Sequence, residues 1–325
     1  MAVRTSGSID GAVLRECIRA ATAAPSVHNT QPWLFRLRED GVDVRVDRAR
    51  QLRTLDPVGR EMFVSVGAAL FNLRVALRVR GFGPVIERGP DPTDLDLAAR
   101  VHIAAAREVP AAARALAEAI TRRHTNRRPF ARRRVPERVL DDLAAAAAAE
   151  DAALLVADDI LREGILSITR TADTSLRSNE RYRAEIAAWT TPGGVGRRDG
   201  VPREALGPRS NHAALPLRDF AFGRGMPTVT VRFEPDPTII LLLTADDTER
   251  AWLRAGEAFQ RVLLTATVHG LAATPLSQLT EIPVLRGLLA DQATGQIVQT
   301  VLRVGYPLTP ARATPRRDLD EVIVG

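Results

Sequence analysis

Apolar residues recur at helical spacing over residues 54–81, with Met62, Val66, Ala69, Leu70, Leu73 and Leu77 on one face. This period predicts a long amphipathic helix. Pro57 near its start and Gly81 just past its end are the punctuation such a helix favours. A second helix of the same kind is predicted over 247–270, with Trp252, Ala255, Phe259, Val262, Leu263 and Ala266 on one face. The two align at a constant offset of 189 positions. Gly67-Ala68-Ala69 falls on Gly256-Glu257-Ala258, Leu73 on Val262, Val79 on Val268, and Gly81 on Gly270. The small residues Gly67 and Gly256 would let another helix approach closely.

The flanking pattern repeats as well. Residues 9–24 predict a helix, followed by strands at 34–37 and 42–46 in a hairpin around Glu39-Asp40-Gly41. Residues 136–150 predict a helix, followed by a strand at 153–157. Each long helix is followed by Pro84 or Pro275, then by a strand at 100–104 or 300–304. Two copies of one α/β unit are expected, one over 1–115 and one over 116–325. The second copy carries an insertion, 158–237. It opens as a helical stretch over 160–189 and then turns Gly/Pro-rich, so that about 190–226 is expected to form a lid. Residues 237–244 read as a buried central strand.

Composition narrows the chemistry. Apolar residues make up 45% of the 325, as in ordinary globular proteins, and no window approaches 18 uninterrupted apolar residues. The start, Met1 to Gly7, has no apolar core of signal-peptide length, so a cytoplasmic protein without a membrane span is expected. Cys17 is the only cysteine and the five histidines are scattered, which argues against a disulfide or a metal site. The net charge is +6, and arginine supplies every basic residue because lysine is absent. Any anion site must therefore use guanidinium groups, which fork onto phosphate oxygens, or backbone N–H groups.

Four segments could carry chemistry. Pro25-Ser26-Val27-His28-Asn29-Thr30-Gln31-Pro32-Trp33 is a polar loop between a helix and a strand. Ser26, Asn29 and Gln31 offer donors and acceptors to a heteroaromatic edge, or simply cap their own turn. Arg123, Thr125 and Arg127 could converge on one phosphate. They could equally belong to a solvated basic face, since 122–134 holds seven arginines and could neutralise nucleic-acid phosphates. Arg316 and Arg317 form a basic pair near the C-terminus. Pro275, Leu276, Ser277 and Gln278 follow the second long helix.

PSxxNxQPW resembles the flavin-contacting loop of the FMN-dependent nitroreductase family, which reaches across a dimer interface in that family. Arg123, His124, Thr125 and Arg127 are similar to its RRSxR phosphate arm. Arg316-Arg317 is similar to its terminal basic pair, and 274–278 to the segment whose backbone N–H groups face the flavin. The set occurs once, divided between the copies. The chain therefore resembles the Acg-like offshoot of the family: a nitroreductase-like α/β (α+β) fold in which two fused halves form an intrachain pseudo-dimer.

The resemblance implies one FMN held by Pro25, Ser26, Asn29, Gln31, Arg123, Thr125, Arg127, Pro275, Leu276, Ser277, Gln278, Arg316 and Arg317. It implies hydride transfer from NAD(P)H to an electron-poor, aromatic or quinone-like acceptor, by a monomer or a homodimer. FMN sequestration with little turnover is the alternative, and nucleic-acid binding through 122–134 a distant one. The family's lysine near the flavin N1 and O2 atoms has no counterpart here, and no residue stands out as a general acid.

Overall fold

The computed structural model describes residues 9–104, 108–191, 196–210, 215–220, 229–289 and 295–325. Of the expected lid, 192–195, 211–214 and 221–226 lie outside the described residues. In chain order the elements are α1 (Gly11–Thr22), β1 (Trp33–Arg38), β2 (Gly41–Val46), α2 (Arg60–Val79), β3 (Gly83–Arg88), β4 (Leu97–Ala104), α3 (Ala111–Arg122), α4 (Glu137–Ala148) and β5 (Ala153–Val156). Next come α5 (Asp159–Ser178), α6 (Glu180–Ala188), the short strands β6 (Thr190–Thr191), β7 (Val201–Pro202), β8 (Arg209–Ser210) and β9 (Thr230–Val231), then β10 (Thr238–Thr244) and α7 (Glu249–Val268). The chain closes with β11 (Ala272–Pro275), α8 (Pro283–Gly287), β12 (Ile297–Gly305), α9 (Leu319–Val322) and β13 (Ile323–Val324).

Two larger sheets carry the fold. One runs β13-β1-β2-β4-β3 and the other β5-β10-β12-β11. The hairpin β1/β2 turns at Glu39-Asp40, and at Gly41, which opens β2, a Cβ would lie 1.9 Å from the carbonyl oxygen of Val101. Within each sheet the strands that match in sequence order have the same neighbours and are all antiparallel. The periodicity predicted one strand after each long helix. The structure has two; β3 and β11 each contain a proline and are only partly buried, so they lack an apolar signature. The stretch 160–189 is two helices, broken at Asn179, whose side chain accepts from the backbone of Arg181 and Tyr182 to cap α6.

α2 and α7 lie together between the sheets. α2 has the length and apolarity of a membrane-crossing helix, but 16 of its 20 residues are buried in the protein interior. A Cβ on Gly67 would sit 2.0 Å from the Leu253 carbonyl oxygen, and one on Gly256 would sit 2.1 Å from that of Val64. These two contacts are related by the same offset of 189 positions as the sequences, so the helices cross about a local two-fold axis at the glycine pair. One apolar core runs through both sheets, from Val44 and Val101 to Ile240 and Leu302. Beside it the fully buried Glu257 of α7 is held by Arg74 of α2 and Arg88 of β3. The C-terminal strand β13 crosses over to pair in parallel with β1. This crossing carries the segment before it, 310–318, past the end of α1.

Candidate functional site

The loop after α1 is strained. His28, Asn29 and Gln31 have φ of 47°, 56° and 52°, a left-handed conformation costing about 1–3 kcal/mol at each non-glycine residue. Contacts from three directions hold it there. Ser26 Oγ accepts from the Gln31 N–H at 2.9 Å and so closes the turn. Asn29 Nδ2 donates to the carbonyls of Gly200 and Pro315 at 3.0 and 3.1 Å, while its Oδ1 accepts from Arg316 at 3.0 Å. Gln31 Nε2 donates to the Arg198 carbonyl at 2.8 Å, and its Oε1 accepts from the Arg317 N–H at 2.8 Å. The insertion and the C-terminal segment therefore fix the geometry of the first loop.

Two adjoining cavities share Pro25, Ser26, Thr125 and Arg127. The first is also lined by residues including Val27, His28, Glu61, Leu217, Arg218 and Phe220, and by Thr274, Pro275 and Ser277. The second is lined by Asn29, Arg123, His124, Val201, Arg312, Thr314 and Arg316 in addition to the shared four. The bridge from Thr125 to Ala273 ties the arginine arm to β11, and Thr274 Oγ donates to the Asn126 carbonyl. The insertion presses on the arm from the other side. A Cβ on Gly207 would lie 2.6 Å from the Arg127 carbonyl oxygen, and the Arg127 guanidinium stacks 5.0 Å over Phe220.

Electrostatics set the second cavity apart. Among the described residues, Arg123, Arg127 and Arg316 have no carboxylate partner. Among the described residues the Arg123 guanidinium donates only to the Ala23 carbonyl, at 3.3 Å, and its buried Nε has no partner. Arg127 donates to the Ala205 carbonyl at 2.9 Å. Arg316 donates to the carbonyls of Thr22, Ala23 and Ala24 at 2.7, 3.2 and 3.1 Å, where a cation satisfies the free acceptors at the C-terminus of α1. Burial, with the charge of Arg316, pushes Arg123 down to about 9. Burial, with Arg218 nearby, pushes Arg127 down to about 10, and burial alone does the same to Arg316. Cations gathered without counter-charge in a low-dielectric place are costly. A bound dianion would remove that cost, so the donor set fits the phosphate of an FMN.

The expected site residues divide into two groups. Pro25, Ser26, Asn29, Arg123, Thr125, Arg127, Pro275, Ser277 and Arg316 line one cavity or the other. Gln31, Leu276, Gln278 and Arg317 line neither. Gln31 is fully buried and ties the loop to its two covers. The Leu276 N–H is spent on the Val301 carbonyl at 2.9 Å, and its side chain lies in the core. Gln278 donates to the Pro216 carbonyl at 3.0 Å. Arg317, expected in the phosphate grip beside Arg316, turns to the other face of the chain and meets Asp47 and Glu321. Adjacent residues in extended backbone point to opposite sides, so one arginine of the pair faces the cavity and its neighbour faces away. The basic run 122–134 splits in the same way: Arg123 and Arg127 face the cavities, while Arg132, Arg133 and Arg134 are exposed.

Sequence reasoning missed Glu61, His28, Arg218, Phe220 and Arg312. No periodic or motif signal marks them, except that His28 lies inside the loop already singled out. His28 is buried, and among the described residues its Nε2 has no partner. Burial, reinforced by Arg218 and Arg127, holds it well below the usual histidine range, so it is neutral at pH 7.

No protein-family profile matches the chain. It is 35% identical over 324 residues to "Putative NAD(P)H nitroreductase Rv3131" of Mycobacterium tuberculosis, covering 97% of this chain and 92% of that one. It is 33% identical over 321 residues to "Putative NAD(P)H nitroreductase acg" of the same organism, covering 95% of each. Among solved structures it is similar to the FMN-dependent nitroreductase NfnB from Mycobacterium smegmatis in complex with NADPH. That match has 18% identity, covers 65% of this chain and 97% of the other, and has a TM-score of 0.39. A nitroreductase from Bacteroides fragilis with bound FMN matches at 14% identity, covering 62% and 94%, with a TM-score of 0.39. Identity above 30% over nearly the full length of two relatives places the chain in the nitroreductase family, alongside its Acg-like members.

Proposed function

We propose that this protein is an FMN-dependent oxidoreductase with one flavin site, formed between the halves 1–115 and 116–325 of a fused pseudo-dimer. The observation that carries this reading is the trio Arg123, Arg127 and Arg316. Among the described residues these cations have no carboxylate partner, and they sit beside a cavity bordered by the loop 25–29 of the first half. In this reading the trio, with Thr125, Arg312 and the loop, holds the phosphate. Ser26, Val27 and Pro275, which line the adjoining cavity, would hold the flavin ring. The bound flavin supplies hydride transfer between NAD(P)H and an electron-poor acceptor. The protein's part is to orient the ring, exclude water and keep uncompensated positive charge near the phosphate. Purified protein should be yellow, and flavin released by heat should be one FMN per chain. Two per chain would overturn the single site, and none after reconstitution would overturn the flavoprotein reading.

A second reading, flavin retention with little turnover, is favoured by the insertion. Leu217, Arg218 and Phe220 line the ring cavity, and Phe220 packs edge-on against His28 with ring centroids 5.4 Å apart. A lid of this kind gates the substrate as well as excluding water. Phe220→Ala is expected to speed anaerobic bleaching of the flavin band by NADPH at least severalfold while FMN stays bound. Stopped-flow absorbance reads this directly. An unchanged rate in the folded, FMN-loaded variant would rule out a gating role for this part of the insertion.

A further inference from the structure

The ring cavity contains one acid that the sequence does not flag. Glu61 stands in the first turn of α2, its side chain 14% exposed, among the residues lining that cavity. Its partners lie on one oxygen: Oε1 accepts from Arg60 Nη2 and, at 3.4 Å, from Thr280 Oγ1. Among the described residues no protein donor reaches Oε2. The helix is held against the flavin loop at this point, since Ser65 Oγ donates to the Glu61 carbonyl at 2.7 Å and accepts from the Val27 N–H at 3.2 Å. Glu61 therefore has a fixed backbone, one anchored oxygen and one oxygen left for the cavity.

We infer that Glu61 donates the proton to a quinone-like acceptor reduced in this cavity, an inference that rests on the flavoprotein reading above. The other lining groups are unsuited to the task. Arg127, at about 10, keeps its proton near neutral pH, and the hydroxyls of Ser26, Thr125, Thr274, Ser277 and Thr300 are too weakly acidic. His28 is already neutral. The groups facing Glu61 come from several elements: Arg60 and Asp56 beside it, Glu281 after β11, and Arg218 from the insertion. Burial raises its pKa above the usual carboxyl range, Asp56 and Glu281 add to this, and Arg60 and Arg218 oppose it. A carboxyl so placed holds a proton at a higher pH than a surface glutamate does.

The step balances without a further reactant. With a reduced flavin bound, the quinone would take a hydride at one oxygen. The electron pair moves through the conjugated ring to the opposite oxygen, which takes the proton from Glu61. The quinone leaves as the hydroquinone. The carboxylate left behind faces Arg60 and takes a new proton from water.

The test uses FMN-loaded wild type, Glu61→Gln and Glu61→Asp, each reduced with dithionite so that NADPH is not required. Reoxidation is followed with menadione, which needs a proton, and with ferricyanide, which takes electrons alone. The menadione-to-ferricyanide rate ratio should fall about a hundredfold in Glu61→Gln, the scale of general acid catalysis. Glu61→Asp should recover part of the loss. In the infrared, a carboxylic-acid carbonyl band that persists to higher pH than those of surface carboxyls should be present in the wild type and absent in Glu61→Gln. An unchanged ratio, an equal fall with both oxidants, or no difference in the infrared band would overturn the role of Glu61 alone. A wild type that binds no flavin would overturn the cofactor reading, and this inference with it.

Discussion

Alanine at Gly67 is expected to destabilise the protein by about 3 kcal/mol or more, at or beyond the usual range for overpacking. The added Cβ would lie 2.0 Å from the Leu253 carbonyl oxygen and 2.9 Å from the Gly256 Cα, both of them backbone atoms that cannot rotate away. The helices would have to separate, opening the core shared by the two sheets. Gly256→Ala should do the same, because its Cβ meets the Val64 carbonyl oxygen at 2.1 Å. Gly164 in α5 is the control, since a Cβ there meets nothing within 4 Å. Gly164→Ala should stabilise by roughly 0.5–1 kcal/mol through helix propensity alone. Urea unfolding of the three variants tests this. A Gly67→Ala variant as stable as Gly164→Ala would show that the close crossing does not exist.

The second large effect is expected at Arg123. Removing a buried charged contact costs about 2–5 kcal/mol in binding, so Arg123→Ala should weaken FMN by roughly thirtyfold to several thousandfold. Riboflavin, which lacks the phosphate, should change little. The ligand-free protein should respond in the opposite sense and unfold no more easily than wild type, because the substitution removes a buried cation that has no counter-charge. In the folded, ligand-free protein burial, with the charge of Arg316, pushes Arg123 down to about 9, far below the ordinary guanidinium range. Phosphate favours the charged form, so FMN binding requires proton uptake above that pH. FMN affinity should therefore hold steady between about pH 7 and 8.5 and fall as the pH rises through 9. Flavin fluorescence titration with both ligands measures this, and parallel pH profiles for FMN and riboflavin would remove the phosphate assignment.

Much of this protein is determined locally. The two long helices are legible because burial on one face imposes a 3.6-residue period, and the period survives in an Ala-rich chain. Their kinship is legible because a glycine is required wherever backbones touch, so Gly67 and Gly256 mark one crossing from both sides. The arginines of the cavity are legible as residues but not as a site. Charge alone does not separate Arg123 and Arg127 from Arg132–Arg134, although the resemblance to the family's arm does, and nothing in the sequence separates Arg316 from Arg317. Which of them faces the cavity depends on how the arm meets β11 and how the C-terminal segment passes α1 on its way to pair with β1. Glu61 and Arg218 lie far apart in sequence and come to one cavity only when α2 and the insertion pack around it. Local periodicity reports which residues are buried, because burial is a one-body property of each side chain. A binding site is a many-body property, set by which charges are buried together and which are left without partners, and that was decided only by the tertiary structure.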